Sequence, residues 1–384
     1  MKKTILLIIA ISFMMLSALQ VHAADENLPV DIKAKAAVLM DASTGKVLMK
    51  YNENERLYPA SVTKIMPLLL VCEAIDEGRI SLGDTVTVSA SAASKGGSQI
   101  WLKEGEQMTV DELLKATAVY SANDACTALG EYIAGSDDAF VKLLNERAEQ
   151  LGMTSTHFEN CTGLDDTTEN HLTSALDVAI MSRELLKHPD IHKYTTIWMD
   201  SLRNGAFTLS NTNKLVKFYE GCTGLKTGST DKALFCMSAT AKRDGLHLIA
   251  VVMASPTSKQ RQADASSLLN YGFANYAAKT IVSKDNIEKE IKIDKGIKKS
   301  CYLVCRDDIN SLCKKGEEKN IRKEYLVSKS YTAPVKKGEK AGELVCYDGS
   351  KEIGRSDLIY GEDVEKMTLS YSYGSIIDLW LCKK

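Results

Sequence analysis

Ser61-Val62-Thr63-Lys64 sets a hydroxyl and an amine three residues apart. In a helix that is about one turn, so the two side chains share a face. Serine is a weak nucleophile until a base takes its proton, and a lysine can do so once burial lowers its pKa. S-x-x-K also occurs at Ser43/Lys46, Ser229/Lys232 and Ser311/Lys314, and Ser61 alone would serve as a helix N-cap. A second cluster, Tyr120-Ser121-Ala122-Asn123-Asp124, suits proton relay by Ser121 and amide positioning by Asn123, or simply the capping of a following helix. A third, Lys226-Thr227-Gly228, supplies a cation and a hydroxyl for an anionic carboxyl group. Gly228 there allows substrate to come close to the backbone.

These groups need a frame. Ala36–Asp41 and Lys46–Tyr51 around Ser43-Thr44-Gly45 read as a hairpin. A helix is expected from about Ser61, its start offering free backbone N–H groups. Helical periodicity dominates from Thr109 to Leu186, as in Val110–Ala118 and Ala139–Leu151 with Gly152 as a stop. Strand patterns return at Leu234–Ala241 and His247–Ser255, with Lys226-Thr227-Gly228 on a strand before them and a closing helix at Ala263–Ala277. Strands, then helices, then strands imply an α+β sheet with a helical insertion. From about Thr280, short alternating segments such as Ile287–Ile293, Tyr325–Ser330 and Glu343–Tyr347 predict a smaller all-β, sandwich-like domain. The expected division is a leader over 1–23, a catalytic domain over 24–279, a β-rich domain over 280–370 and a tail over 371–384.

In combination, the order Ser-x-x-Lys, Ser-x-Asn, Lys-Thr-Gly resembles the penicillin-recognising serine acyl-transferases, which include penicillin-binding proteins and serine β-lactamases. Asn160-Cys161-Thr162-Gly163-Leu164, the His171–Ala179 stretch, Gly224 through Ala233, and Arg261 followed by Leu268-Leu269-Asn270-Tyr271-Gly272-Phe273 are similar to the low-molecular-mass D-alanyl-D-alanine carboxypeptidases. That resemblance spans most of residues 30–280. It implies a penicillin-binding-protein/β-lactamase-like fold in which Ser61 forms an acyl-enzyme and Lys64 is its base. It also implies that Lys226, Thr227 and Arg261 hold the terminal carboxylate; a surface position for Arg261 at the start of the closing helix is the alternative. The implied substrates are peptidoglycan stem peptides ending in D-Ala-D-Ala, with β-lactam antibiotics as covalent ligands and no metal or organic cofactor. Two features depart from the pattern. Pro67 should kink the helix after Ser61, and Ser229 stands where some relatives carry histidine, though its backbone N–H can still complete the oxyanion hole that the resemblance implies.

A class A β-lactamase would carry a deacylating glutamate in an E-x-x-L-N-like context, and Leu143-Leu144-Asn145 lacks it. A non-catalytic wall-binding scaffold would not need all three motifs intact.

The rest of the chain bounds the setting. It has 384 residues, with 48 basic against 50 acidic side chains. That balance, without a basic, aromatic-interleaved stripe, disfavours nucleic acid as a partner. Lys2 and Lys3, the apolar run Ile5–Leu19 and Val21-His22-Ala23 have the anatomy of a secretory signal cut after Ala23. An uncleaved anchor is the alternative. The expected location is therefore extracytoplasmic, in the wall or on the outer face of the cytoplasmic membrane. Ile376, Ile377, Leu379, Trp380 and Leu381 before Lys383-Lys384 suit a short peripheral membrane contact, or equally a last strand or turn packed on the β-domain. Most of the ten cysteines are expected as buried thiols, with one or two bridges in the last quarter.

Overall fold

A computed structural model describes residues 29–317 and 321–369, together with Tyr371 and Tyr373. The expected leader and almost all of the expected tail lie outside the described residues.

The first region is built on a five-stranded antiparallel sheet. Strands β1 (Ala36–Asp41) and β2 (Val47–Tyr51) form the expected hairpin. β3 (Thr85–Thr87) with β4 (Gln107–Thr109), and β5 (Met199–Leu202) with β6 (Phe207–Ser210), form two small ribbons outside the main sheet. β7 (Cys222–Thr230), β8 (Leu234–Arg243) and β9 (Leu246–Ser255) complete the sheet in the order β2-β1-β9-β8-β7. β1 pairs with β9 from Ala36↔Met253 to Asp41↔Leu248, so the ends of the domain meet in its centre.

β1 has no polar face because the sheet is covered on both sides. Ala36, Val38 and Met40 join a core shared with the helices Ile65–Asp76, Asn123–Ala134 and Ala175–Leu185. Ala37 and Leu39 join the core under the Ser258–Asn275 helix. This is the α+β sheet with a helical insertion.

Several local details differ from expectation. The chain enters the Ile65–Asp76 helix through a 3₁₀ turn, Ala60–Lys64. Pro67 is therefore the third residue of the α-helix, within the first turn, where backbone N–H groups have no intrahelical acceptor. Proline is tolerated in the first turn of a helix. The Val110–Lys115 helix continues into one widened π-type turn, Ala116–Tyr120. No bridge forms in the last quarter among the described residues: nine cysteines are free, all buried except the half-buried Cys222.

β10 (Tyr276–Val282) pairs with β13 (Ile309–Lys314), so strand pairing of the second region begins at Tyr276, ahead of Thr280. β11 (Ile287–Asp294), β12 (Ser300–Cys305), β14 (Ile321–Val327), β15 (Tyr331–Thr332), β16 (Lys340–Asp348) and β17 (Lys351–Tyr360) make a six-stranded sheet, order β14-β16-β17-β12-β11-β15. Leu303, Cys305, Ile309, Leu344, Cys346 and Leu358 fill its separate core.

Candidate active site

Ser61 is half-buried in the 3₁₀ turn, and Lys64 Nζ donates to its Oγ at 2.9 Å. The Lys64 side chain is fully buried, and its ammonium also donates to the Thr162 carbonyl at 2.7 Å. Burial, opposed by Cys126, Cys161 and Asp124, pushes the Lys64 pKa down to about 8. A lysine that titrates near neutrality and touches a serine hydroxyl is a competent base.

Two glycines set how tightly this turn is gripped. A Cβ on Gly228 would fall 2.7 Å from Ser61 N and 2.8 Å from Val62 N. The close approach at Gly228 is thus made first by the nucleophile turn itself, a role the sequence assigned to substrate. On the other side, a Cβ on Gly163 would fall 1.9 Å from the Ala60 carbonyl oxygen and 2.8 Å from Thr63 Oγ1. Gly163 also sits at φ +84°, a region that favours glycine. Strand β7 and the segment 159–164 clamp the turn between them.

Ser121 follows the π-type turn, with its N–H donating to the Ala116 carbonyl, and is held at φ 66°, left-handed backbone for a non-glycine residue. Such outliers persist where the surroundings over-determine them. The Ser121 hydroxyl meets Lys226, which is buried on β7 and donates to Ser121 Oγ at 2.8 Å and to its neighbour's carbonyl, Thr227 O, at 2.9 Å. Burial, then the Lys64 and Arg261 cations, hold the Lys226 pKa well below the usual lysine range. Thr227 Oγ1 donates to Thr212 Oγ1 at 2.8 Å. Asn123 spends its Nδ2 on the Gly96 carbonyl at 2.6 Å, while its buried Oδ1 has no hydrogen-bond partner among the described residues.

Arg261 is buried and not on the surface, which removes the alternative reading of a surface side chain. Its Nη1 donates to the carbonyls of Gly228 at 3.1 Å and Cys236 at 3.2 Å, and its Nη2 to Ser258 Oγ at 3.3 Å. The guanidinium thereby clips β7 to β8 behind the Lys-Thr-Gly segment, and burial lowers its pKa to about 10. Its buried Nε has no hydrogen-bond partner among the described residues. Among the described residues, no carboxylate forms an ion pair with Lys64, Lys226 or Arg261.

Three partners carry no sequence signature of their own. Thr162 acts through a backbone carbonyl and Thr212 through a lone hydroxyl. The third is His171, fully buried, whose Nδ1 accepts the Glu159 N–H at 2.9 Å. That bond leaves Nε2 to carry the proton and donate to Thr63 Oγ1 at 2.9 Å. Burial pushes the His171 pKa down to about 4 and keeps it neutral. It ties the nucleophile turn to the segment whose carbonyl holds Lys64. The sequence marks Asn160–Leu164 and the His171–Ala179 stretch as similar to the carboxypeptidases, but gives no sign that the histidine bonds to Thr63.

The site therefore combines residues that the chain keeps far apart: Ser61 and Lys64 on a turn, Ser121 and Asn123 on a loop, and Lys226, Thr227, Gly228 and Ser229 on β7, with Arg261 behind. Comparison with known proteins identifies the family to which the chain that carries these residues is related. A family model described as D-alanyl-D-alanine carboxypeptidase matches residues 20–257, and one described as the C-terminal domain of penicillin-binding protein 5 matches residues 276–366. The chain is 44% identical to the D-alanyl-D-alanine carboxypeptidase DacF of Bacillus subtilis over 87% of its own length and 86% of that protein's. It is 36% identical to DacD of Escherichia coli over 88% of each. The crystal structure of penicillin-binding protein 5 from Haemophilus influenzae superposes with a TM-score of 0.67 at 31% identity, over 88% of this chain and 99% of that one. On its motifs, its two-part architecture and these matches, the chain belongs to the D-alanyl-D-alanine carboxypeptidase family.

Proposed function

We propose that this protein is an exported serine DD-carboxypeptidase, which releases the terminal D-alanine from peptidoglycan stem peptides through an acyl-enzyme on Ser61. The observation that carries the reading is a buried lysine with a pKa near 8 touching the Ser61 hydroxyl.

In the proposed reaction, Lys64 in its neutral form takes the Ser61 proton as Oγ attacks the carbonyl carbon of the penultimate D-alanine. The developing oxyanion is received by the backbone N–H groups of Ser61 and Ser229, which the close approach at Gly228 brings together. The C–N bond then breaks, and the departing amine takes a proton relayed through Ser121, whose oxygen already accepts from Lys226. Water hydrolyses the ester and regenerates Ser61. Asn123, with its partnerless Oδ1, accepts from an amide N–H of the substrate.

Exopeptidase specificity follows from charge. Lys64, Lys226 and Arg261 are buried near one another without a carboxylate ion pair among the described residues; burial first, and repulsion by the Lys64 and Arg261 cations second, lower the Lys226 pKa. A substrate's free terminal carboxylate relieves that repulsion; an internal peptide bond cannot. Lys226, Thr227 and Arg261 are the groups assigned to it.

Penicillins, whose carboxylate and strained amide imitate the same substrate, should acylate Ser61 and stay there. The nearby carboxylates of Glu159 and Asp165 are engaged in holding their own segment: Glu159 accepts the N–H groups of Glu169 and Asn170, and Asp165 accepts the Thr230 hydroxyl. The test is to label the protein with a fluorescent penicillin, map the adduct by peptide mass, and measure D-alanine release from a diacetylated tripeptide ending in D-Ala-D-Ala. Label on Ser61 with D-alanine release supports the reading, and label on another residue overturns it. The proposed export is checked by the amino terminus of the mature protein, expected at Ala24.

A further inference from the structure

Trp101 is 67% exposed on the loop that borders Asn123, and its presence there is not explained by folding. Around it the loop is fastened at several points. The Gly96 and Ser98 carbonyls accept from Asn123 Nδ2 and Asn123 N, at 2.6 and 2.7 Å. A Cβ on Gly97 would fall 2.8 Å from Asn123 Nδ2 and 3.3 Å from Leu164 Cδ2, so the loop is wedged between the Ser-x-Asn motif and the segment that carries Thr162. The fully buried Asp124 carboxylate then accepts Ile100 N at 3.1 Å and Leu102 N at 3.0 Å. Ile100 and Leu102 are pegged into the core, and the residue between them is turned out to solvent.

That residue sits at φ 60°. Left-handed backbone disfavours a bulky side chain by about 1–3 kcal/mol, and glycine or asparagine would relieve it. An indole also gains little from water. Neither local strain nor core packing selects tryptophan here, whereas a rigidly presented aromatic face beside a substrate site suits binding.

The neighbouring open cleft is lined by Trp101, Lys103, Glu104, Gly105, Glu106 and Arg203. Arg203 is held ready by its bonds to the Ile100 carbonyl and Glu106 Oε1, both at 2.8 Å. Two cations and two anions leave the cleft without net charge, so it favours neither a phosphate nor a metal. An aromatic plate beside polar groups of both signs fits a neutral, hydroxyl-rich ring. Its axial C–H face meets the electron-rich face of the indole, and its hydroxyls reach the charged side chains.

We infer that Trp101 is a stacking platform for a sugar ring of the glycan strand from which the stem peptide hangs. This rests on the carboxypeptidase reading above and extends it from the peptide to the polymer that carries it.

The test compares kcat/KM for three substrates: the diacetylated tripeptide, a free stem pentapeptide, and the same pentapeptide on its disaccharide. Wild type should prefer the disaccharide-pentapeptide to the free pentapeptide by roughly three- to tenfold, the scale of one aromatic contact. Trp101→Ala should bring that ratio to about one, and Trp101→Phe should retain part of it. A peptide-free glycan tetrasaccharide should quench tryptophan fluorescence in wild type and not in Trp101→Phe, whether or not any peptide is cleaved. An unchanged ratio in Trp101→Ala, or identical quenching in both proteins, overturns the inference. So does a loss that appears already between tripeptide and free pentapeptide, which would assign the indole to the peptide. Failure of wild type to cleave any of the three would count against the carboxypeptidase reading alone, since the quenching measurement still decides the sugar contact.

Discussion

The two regions of this molecule handle charge in opposite ways. In the sheet-and-helix region, Lys64, Lys226 and Arg261 lie buried without an ion-pair partner among the described residues, beside the buried Asp124 and His171. In the β-rich region, the polar residues that are buried among those described are Ser311 and Ser356. The nearest that region comes to an interior charge is Glu288, whose carboxylate is surrounded by Lys323, Tyr325 and Asn286. Its remaining ion pairs, such as Arg306–Asp357, lie at the surface. Burying an unpaired cation costs several kcal/mol, so a fold keeps one only where something repays the cost. The contrast separates a region shaped by chemistry from one shaped by packing.

The sharpest way to break this contrast is to remove the nucleophile. Ser61→Ala should lower D-alanine release by about 10⁶-fold, the scale of a lost serine nucleophile, while leaving the melting temperature close to that of wild type. Appreciable residual turnover would place the chemistry elsewhere.

Next in size is the base. Lys64→Ala should slow penicillin acylation by ~10²–10⁴-fold. In wild type the reactive form of Lys64 is the neutral amine, so acylation should rise with pH through an apparent pKa of about 8 and then level off. A profile flat from pH 6 to 9 would mean that Lys64 is not the group being titrated.

Arg261 tests whether the unpaired cations await a carboxylate. Arg261→Ala should reduce kcat/KM by about 2–4 kcal/mol for a substrate with a free terminal carboxylate, and much less for its terminal amide. Equal losses would assign Arg261 to the β7–β8 clip alone. Arg261→Lys keeps the charge and separates the two roles.

His171 should give a smaller, pH-dependent signal. Its folded-state pKa of about 4 lies below the unfolded value of about 6.5. Between those values the unfolded chain binds the extra proton, so stability should fall as pH drops from 6.5 towards 4. His171→Gln should flatten that slope in melting temperature, and an unchanged slope would rule the assignment out. Smallest of all, Arg306→Ala removes an exposed pair in the β-rich region and should change stability by about 0–1 kcal/mol, without effect on turnover.

How far the sequence reveals this site depends on which atoms do the holding. Ser61, Lys64, Ser121 and Lys226 meet through side chains at recurring spacings, Lys64 with Ser61 and Lys226 with Ser121. The hairpin around Gly45 and the change of texture near Thr280 were equally legible, because turn residues and alternation are local signals. What stayed hidden is held by backbone or by distance. The Thr162 carbonyl could have belonged to any residue type. The π-type turn before Ser121 inserts one residue into an ordinary helical pattern without altering its composition. The 3₁₀ entry that makes Pro67 harmless depends on Gly163 and Gly228 pressing on the turn from both sides, which no window of neighbouring residues contains.

The pairing of β1 with β9 also has a consequence in time. The Ala34 N–H donates to the Asp264 carboxylate, 230 positions along the chain. At a synthesis rate of ~5–20 residues per second, that separation amounts to roughly 10–50 s. For most of that interval the Ala-Ala-Val-Leu-Met stretch of β1 has β2 on one side but lacks β9 on the other and the Ser258–Asn275 helix over one face. Ser61 and Lys64 already exist, but the strand that presses the serine into place does not. The parts of the site therefore meet only when almost the whole of the first 261 residues has been made, since Arg261 bonds the Gly228 carbonyl behind the Ser61 turn.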